Sequence, residues 1–244
     1  MKRTLDLVLL IAAGLIAWEA MHLAAPFALT SPAESVAKAW SMVLSPVFWP
    51  HAAETAKAFA YALLLAVGGG LVLGLSLGLN RTSAEVAEPI MISAYSLPKV
   101  TLYPVVLLIF GLGLPAKIAF GTIHGIIPVA IFAMNAVRNL APVHMKTARV
   151  LRLTRWQTLA TVVVPGALPE IVSGLRIGFS VTLLGVLIGE MFASQRGVGY
   201  VIMAAIGLHD VPTIMATIVL LGIVAVSASA FLLWLDHRLH HRAS

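Results

Sequence analysis

Long apolar stretches constrain the fold of this chain more than any other feature. Six stretches approach or exceed the roughly 20 residues that a helix needs to cross the hydrocarbon core of a bilayer. They lie at about residues 5–25, 57–79, 89–112, 115–136, 166–192 and 211–235. Only 11% of the residues are charged, whereas a soluble domain has about 25%. Such a chain cannot cover a water-facing surface, so we expect one all-α membrane domain over residues 1–244, with six transmembrane helices.

Lysine and arginine are distributed unevenly between the two sets of connecting segments. The set that includes the N-terminus contains Lys2, Arg3, Arg81, Arg138, Lys146, Arg149, Arg152, Arg155, Arg238 and Arg242. The other set contains only Lys38, Lys117 and Arg196. Because cytoplasmic loops are enriched in basic residues, this pattern predicts that both termini are cytoplasmic. It also accounts for the net charge of +6, so we expect membrane lipid and no nucleic acid as a partner.

Motifs for chemistry are missing from the sequence. There is no cysteine, no phosphate-binding glycine loop, no metal-spaced cluster of histidine and carboxylate, and no nucleophile elbow. We therefore expect no catalytic, cofactor-binding or metal-binding residue on this chain.

Local signals refine the helices. Ser31 and Glu34 have the spacing of a capping box and predict a helix through about Val43 that lies along the membrane surface. Pro98 interrupts the third stretch, so either residues 89–96 form a short surface helix or the span is kinked. Residues 111–115, Gly-Leu-Gly-Leu-Pro, predict a tight turn. Gly70, Gly74 and Gly78 recur every four residues and predict a close helix–helix contact.

A basic loop follows the fourth stretch, at about residues 138–165. Lys146, Arg149, Arg152 and Arg155 occur at every third position and do not form one helical face. Two short helices that meet at an angle fit this spacing better than one rod. Leu151, Leu153 and Trp156 would then be available to a partner. The alternative is a simple basic loop that only sets the topology.

This loop resembles the cytoplasmic signature of binding-protein-dependent ABC transporter permeases, most of all those that import sulfonates, taurine and nitrate. The matching residues within the loop region are Arg149, Leu151, Thr154-Arg155-Trp156-Gln157, Val164-Pro165-Gly166-Ala167-Leu168-Pro169 and Ser173-Gly174-Leu175-Arg176. Further matches are Leu97-Pro98-Lys99, Tyr103-Pro104, Phe110-Gly111-Leu112-Gly113, Gly189-Glu190-Met191 and Gly197-Val198-Gly199-Tyr200. The resemblance covers nearly the whole chain.

The resemblance implies the fold of a type I (MetI-like) importer permease with cytoplasmic coupling helices, in a bacterial inner membrane. It implies that a separate cytoplasmic ATPase docks on residues 143–159 and that ATP and Mg²⁺ bind to that partner. A periplasmic solute-binding protein and a second permease subunit, in a homodimer, would complete the importer, which works by alternating access. The implied coupling residues are Thr147, Ala148, Arg149, Leu151, Arg152, Arg155 and Trp156.

The chain departs from the family pattern within the loop. Lys146 stands at the position of the family's glutamate, Thr147 at that of its first alanine, and Arg152 at that of its glycine. The last change is the most consequential for the backbone, because it removes conformational freedom at the joint between the two short helices.

Polar residues within the spans are candidates for the translocation pathway, because burying them in a membrane is unfavourable. They are Tyr95, Ser96, Lys99, Thr101, Tyr103, His124, Ser180, Thr182 and Glu190. For Lys99 the alternative is a side chain that extends to the lipid headgroups. We expect His124 to bind a neighbouring carbonyl, and Glu190 to cap a helix or pair with Arg196 rather than contact a solute.

Two other classes of protein remain open from the sequence alone. One is a secondary transporter or channel that works without partners, and the other is a membrane-bound enzyme subunit. A standalone transporter typically shows inverted repeats and charged residues in mid-membrane, and neither is clear here. The solute is also open: a sulfonate, taurine, nitrate, an aromatic acid or a vitamin precursor.

Overall fold

The structure is a computed structural model. It describes the backbone of residues 2–140 and 142–243, and the side chains of residues 5–140, 143, 146–154, 156–192 and 194–234. The helices in chain order are α1 Lys2–Ala24, α2 Pro32–Leu44, α3 Phe48–Gly78, α4 Arg81–Ser96, α5 Tyr103–Phe110, α6 Leu114–Arg138, α7 Pro142–Val150, α8 Arg155–Thr158, α9 Val164–Ala193, α10 Val198–Gly207 and α11 Val211–Ala243. A 3₁₀ turn, Lys99–Leu102, precedes α5, and a π-helical turn, Leu159–Val163, joins α8 to α9.

The apolar helices account for the six predicted spans. Within the described residues, five helical stretches are long and apolar enough to cross a membrane: Leu5–Ala24, Phe48–Gly78, Leu114–Arg138, Trp156–Phe192 and Val211–Trp234. The sixth is a broken pair, Arg81–Ser96 with Lys99–Phe110. The all-helical membrane fold is therefore confirmed. The second span begins at Phe48, earlier than expected, and its additional turns include Glu54, which pairs with Lys117.

The third span is broken after α4, where the axis bends by 82°. Leu97 is extended, with φ −63° and ψ 137°, because the ring of Pro98 disfavours helical geometry in the preceding residue. An ion pair between Arg138 and Glu88 ties α4 to the end of α6. Of the two arrangements that the sequence allowed, a separate helix before the crossing segment is the one observed, and that helix already begins at Arg81.

The core is built around α6, which packs against both α3 and α9. A Cβ atom added at Gly70 would lie 2.7 Å from Val129, and one added at Gly78 would lie 2.7 Å from the carbonyl oxygen of Met134. These glycines let the backbones of α3 and α6 approach closely, as in other membrane helix pairs. The predicted contact of the second span is confirmed.

The bundle has two distinct ends. The loop end consists of residues 79–88 and 138–163, and the opposite end consists of α2 and residues 45–56, 111–117 and 194–211. At the opposite end the predicted capping box of Ser31 and Glu34 is present at the start of α2. The tight turn after α5 is present as well, with positive φ at Gly111 and Gly113.

Candidate functional site

The basic loop folds into two short helices, as its sequence predicts. α7 ends at Val150, and the chain reverses through Arg152, whose φ is +50°. The amide of Leu153 then donates to the carbonyl of Ala148 at 3.0 Å. This left-handed residue is the position at which the chain replaces the family's glycine. For a residue with a Cβ atom this conformation is unfavourable by roughly 1–2 kcal/mol.

The second short helix is started by a reciprocal pair of hydrogen bonds. The side chain of Gln157 accepts from the amide of Thr154 at 2.9 Å, and the hydroxyl of Thr154 accepts from the amide of Gln157 at 3.3 Å. This is a capping box, which satisfies amides that lack a partner within the helix. The sequence motif Thr-Arg-Trp-Gln therefore has a local structural role.

Large apolar side chains of the loop point into solvent. The exposed fractions are 81% for Val150, 64% for Leu151 and 80% for Trp156. Lys146, Arg149 and Arg152 are also exposed. Ala148 is buried, and it lines a groove of about 750 Å³ together with Leu79, Asn80, Arg149, Leu153 and Trp156. We call residues 147–156 the docking surface. Arg155 belongs to it by sequence, but its side chain lies outside the described residues.

Charged and polar groups are buried together at the opposite end. Glu190 is 0% exposed, and Oε2 of its carboxylate accepts from the hydroxyl of Thr55 at 2.8 Å and from the amide of Gly199 at 3.0 Å. Nζ of Lys117 lies 3.1 Å from Oε1 of Glu54 and 3.9 Å from Oε1 of Glu190. We call these five residues the Glu190 cluster. It fastens the turn before α10 to α3, α6 and α9.

Of the two expectations for Glu190, the capping role is the one observed, because its carboxylate accepts from the amide of Gly199 in the first turn of α10. The pairing with Arg196 is not observed. Arg196 contributes its carbonyl oxygen, which accepts from Nζ of Lys117 at 2.8 Å, while the carboxylate of Glu190 is engaged by Thr55 and Gly199. Lys117, which we expected in a connecting segment outside the membrane, is almost fully buried. A lysine within an apolar stretch was the signal in the sequence, because such residues are rare there and almost always paired.

Asp210 caps the start of α11 at the same end. Its carboxylate accepts from the amide of Thr213 at 3.0 Å and from the hydroxyl of Thr213 at 2.6 Å. These bonds hold the pKa of Asp210 below its usual value, against the opposing effect of partial burial.

A third group of polar residues lies between the two ends. Lys99 is buried, and its Nζ donates to the carbonyl of Tyr95 at 2.7 Å and lies 4.6 Å from the centre of the Tyr95 ring. Tyr103, one turn after Lys99, packs on Phe120 of α6, and Phe120 in turn contacts His124. Nδ1 of His124 lies 2.8 Å from the carbonyl of Phe120, as expected. We call Tyr95, Lys99 and His124 the Lys99 site. Lys99 folds back onto its own segment and does not extend outward as a lysine that reaches the headgroups would.

The other pathway candidates are dispersed. Ser96, Thr101 and Ser180 are exposed, and each hydroxyl donates to a carbonyl three or four residues earlier. The hydroxyl of Tyr103 donates to the carbonyl of Gly189 at 2.6 Å. Thr182 is fully buried, and its hydroxyl has no partner among the described residues; we have no physical account of that.

Comparison with known proteins identifies the fold and the family. Residues 66–244 match the family described as binding-protein-dependent transport system inner membrane component. The chain belongs to this family. It is 33% identical to the taurine transport system permease protein TauC of Escherichia coli over 196 residues, which is 80% of this chain and 69% of TauC.

Other relatives of the chain carry different solute names. It is 27% identical to the putative aliphatic sulfonates transport permease protein SsuC of Bacillus subtilis over 211 residues, 86% of this chain and 76% of SsuC. It is 26% identical to the nitrate import permease protein NrtB of Leptolyngbya laminosa over 209 residues, 82% of this chain and 75% of NrtB. The chain is therefore a multi-pass membrane permease of a bacterial ABC importer, as its resemblance implied.

Solved structures confirm the fold independently. An inward-facing MetNI methionine ABC transporter is similar with a TM-score of 0.60 at 19% identity, over 80% of this chain and 94% of that chain. An amino acid ABC transporter crystallised with histidines is similar with a TM-score of 0.63 at 21% identity, over 82% of this chain and 97% of that chain. The MetI-like permease fold is thus confirmed.

Proposed function

We propose that this permease is driven by a separate cytoplasmic ABC ATPase, which binds the docking surface and supplies ATP hydrolysis with its Mg²⁺. Closure of the ATPase would move the docking surface and, through the continuous helix from Trp156 to Phe192, the bundle behind it. The permease itself would alternate between inward-open and outward-open states. The loop end is then the cytoplasmic end, which agrees with the basic residues that it contains.

Exposure of the docking surface is the observation that carries this proposal. Val150, Leu151 and Trp156 present apolar area on a basic segment, and a protein surface usually keeps such contiguous apolar patches for an interaction. Arg152 holds this geometry in an unfavourable backbone conformation, and such strain is concentrated at functional sites. A loop that served only to set topology needs neither the exposed tryptophan nor the left-handed joint.

The family and the names of some of its members support a proposal for the remaining partners and the solute. We propose a homodimer of two permease chains, with both termini cytoplasmic, fed by a periplasmic solute-binding protein at the opposite end. The relatives named for taurine, aliphatic sulfonates and nitrate all act on small molecules with an anionic oxygen-bearing group, and we propose a solute of that class.

Association of the purified permease with its ATPase tests the proposal. A buried aromatic anchor commonly contributes about 2 kcal/mol or more to an interface, which corresponds to a roughly 30-fold weaker Kd at 1.4 kcal/mol per tenfold. We expect that loss of affinity from Trp156→Ala.

Arg152→Glu should lower uptake per ATP hydrolysed, because it reverses a charge at the interface.

Trp40→Ala is the matched control for the association experiment. Trp40 is 65% exposed on α2 at the opposite end, so its removal should leave ATPase binding unchanged. Wild-type association of Trp156→Ala, together with wild-type uptake per ATP hydrolysed in Arg152→Glu, would reduce the loop to a topology signal. Uptake by the permease alone, without ATP, would instead favour a standalone secondary transporter.

A further inference from the structure

Two lysines are buried among the described side chains, and the groups that surround their ammonium groups differ. Lys117 has Glu54, Glu190 and the carbonyl of Arg196 around its ammonium group. Lys99 is 8% exposed and has a carbonyl and an aromatic face, both from Tyr95. Among the described side chains no carboxylate oxygen lies within 4.0 Å of its ammonium group.

The groups that face Lys99 do not supply a negative charge. On α6, His124 carries no negative charge in either protonation state: it repels a cation when it is protonated and is neutral otherwise. The carboxylate of Glu88 is paired with Arg138 at the loop end, and that of Glu190 is bound within its own cluster. Burial of an unpaired ammonium group is strongly unfavourable, and buried charges in membrane proteins usually mark a pathway or a ligand.

The position of Lys99 along the bundle is that of a pathway residue. His124 is ten residues from the start of α6, which at 1.5 Å per residue is about 15 Å. The hydrocarbon core of a bilayer is about 30 Å thick. The Lys99 site therefore lies near the middle of the membrane, next to the 82° bend that separates α4 from the crossing segment.

The hydrogen-bonding capacity of the site selects the kind of ligand. An ammonium group has three donors, and one of them is used by the carbonyl of Tyr95. The hydroxyls of Ser96, Thr101 and Tyr103 do not accept from it; each donates to a carbonyl of the protein. Two unused donors on a positive charge favour a small group with several acceptor oxygens and a negative charge, and they disfavour amines.

We propose that Lys99 is the anion-binding residue of the permease, and that it pairs in mid-membrane with the sulfonate- or nitrate-like oxoanion group of the solute. This inference rests on the proposed function, since it names the chemical class of the solute and one residue that recognises it. The solute's charge would replace the missing carboxylate, so that Lys99 is compensated only while solute occupies the pathway.

Thermal unfolding of the purified permease in detergent, without ATPase, tests this pairing. The probes are methanesulfonate and nitrate, with methanesulfonamide as the uncharged analogue of methanesulfonate. For the wild type we expect a saturable rise of Tm with each anion and none with methanesulfonamide, because a ligand of the folded state raises its stability. Lys99→Met should abolish the rise, and Lys99→Arg should retain it.

Lys57→Met is the matched control, because Lys57 is an exposed lysine on α3, and it should respond to the anions as the wild type does. Lys99→Met should also unfold at a Tm no lower than that of the wild type in anion-poor buffer, since it removes an uncompensated charge. An equal anion response in Lys99→Met and wild type, or no saturable response in the wild type, would overturn the pairing.

The outcome is separable from that of the proposed function. Anion binding to the isolated permease does not require the ATPase, so a failure of ATPase docking leaves this result intact. Conversely, if the ATPase docks and drives uptake while Lys99→Met transports taurine, butanesulfonate or nitrate at the wild-type rate, only the assignment of Lys99 is lost.

Discussion

The two ends of the bundle treat charge and apolar surface in opposite ways. At the opposite end Glu190 and Lys117 are withdrawn from solvent and engaged by protein groups. At the loop end Trp156 and Leu151 are exposed, and so is Arg152 between them. The first arrangement is complete within one chain, whereas the second leaves apolar area and a strained residue without internal compensation. The opposite end therefore stabilises the fold of the single chain, whereas the loop end is the region where we expect a partner to bind.

Removal of the Glu190 carboxylate should have the largest effect on stability. In Glu190→Ala the amide of Gly199 loses its acceptor, the hydroxyl of Thr55 keeps only the carbonyl of His51, and Lys117 keeps only Glu54 as a counter-ion. Breaking a buried ion pair from one side is destabilising by about 3–5 kcal/mol. Chemical or thermal unfolding in detergent measures the loss. Glu85→Ala, at an exposed pair with Arg81, is the control and should change little. Similar losses in both variants would show that the opposite end does not depend on its buried charge.

Alanine substitutions at two glycines, Gly197 and Gly113, distinguish the cost of backbone strain from the cost of crowding at the Glu190 cluster. Gly197 and Gly113 have similar backbone angles, with φ +124° and +113°. A Cβ atom at Gly197 would overlap the carboxylate of Glu190, whereas none of the described atoms lies within 4 Å of a Cβ at Gly113. Both alanine variants should lose unfolding free energy through backbone strain. Gly197→Ala should lose about 2 kcal/mol more than Gly113→Ala, which is in the range typical of overpacking. Equal unfolding free energies for the two variants would contradict the tight closure of this turn.

Arg152→Gly should stabilise the loop end slightly. The left-handed conformation is unfavourable for arginine by roughly 1–2 kcal/mol, and glycine removes this cost. Glycine also loses more conformational entropy on folding, which offsets roughly 0.5–1 kcal/mol of the gain in stability. We expect a net gain of about 0.5–1 kcal/mol in unfolding free energy. Arg149→Gly, within α7, is the opposite control and should destabilise by about 1 kcal/mol. A loss of stability in Arg152→Gly would mean that the arginine side chain, rather than the backbone, sets the joint.

The sequence predicted the fold well because membrane helices are specified by local composition. The six apolar stretches, the capping box at Ser31 and the glycine contact between α3 and α6 all depend on short-range patterns. The bend at Pro98 was predictable as a break, but its size was not, because it depends on how α4 contacts the end of α6 through Glu88 and Arg138.

Long-range partners could not be derived from the sequence. Thr55 and Glu190 are 135 positions apart, and Glu54 is 63 positions from Lys117. No spacing rule joins such pairs, and Arg196, the nearest cation to Glu190 in sequence, proved not to be the partner. The two short helices of the docking surface were predictable from the spacing of their arginines. The left-handed angle at Arg152 was indicated only by the glycine that the family has there.

Trp156→Ala should have the smallest effect on the isolated chain. Because its side chain is 80% exposed, truncation removes little buried area, and surface substitutions usually stay within about 0.5 kcal/mol of the wild type. Phe120→Ala provides the contrast, because Phe120 is fully buried against Tyr103 and His124. This variant should lose about 3–5 kcal/mol of unfolding free energy. Unfolding of the detergent-purified permease gives both values. A loss above about 1 kcal/mol for Trp156→Ala would place it beyond typical surface substitutions and make it a packing residue of the groove. A negligible loss, beside a weakened ATPase complex, would assign its apolar area to binding.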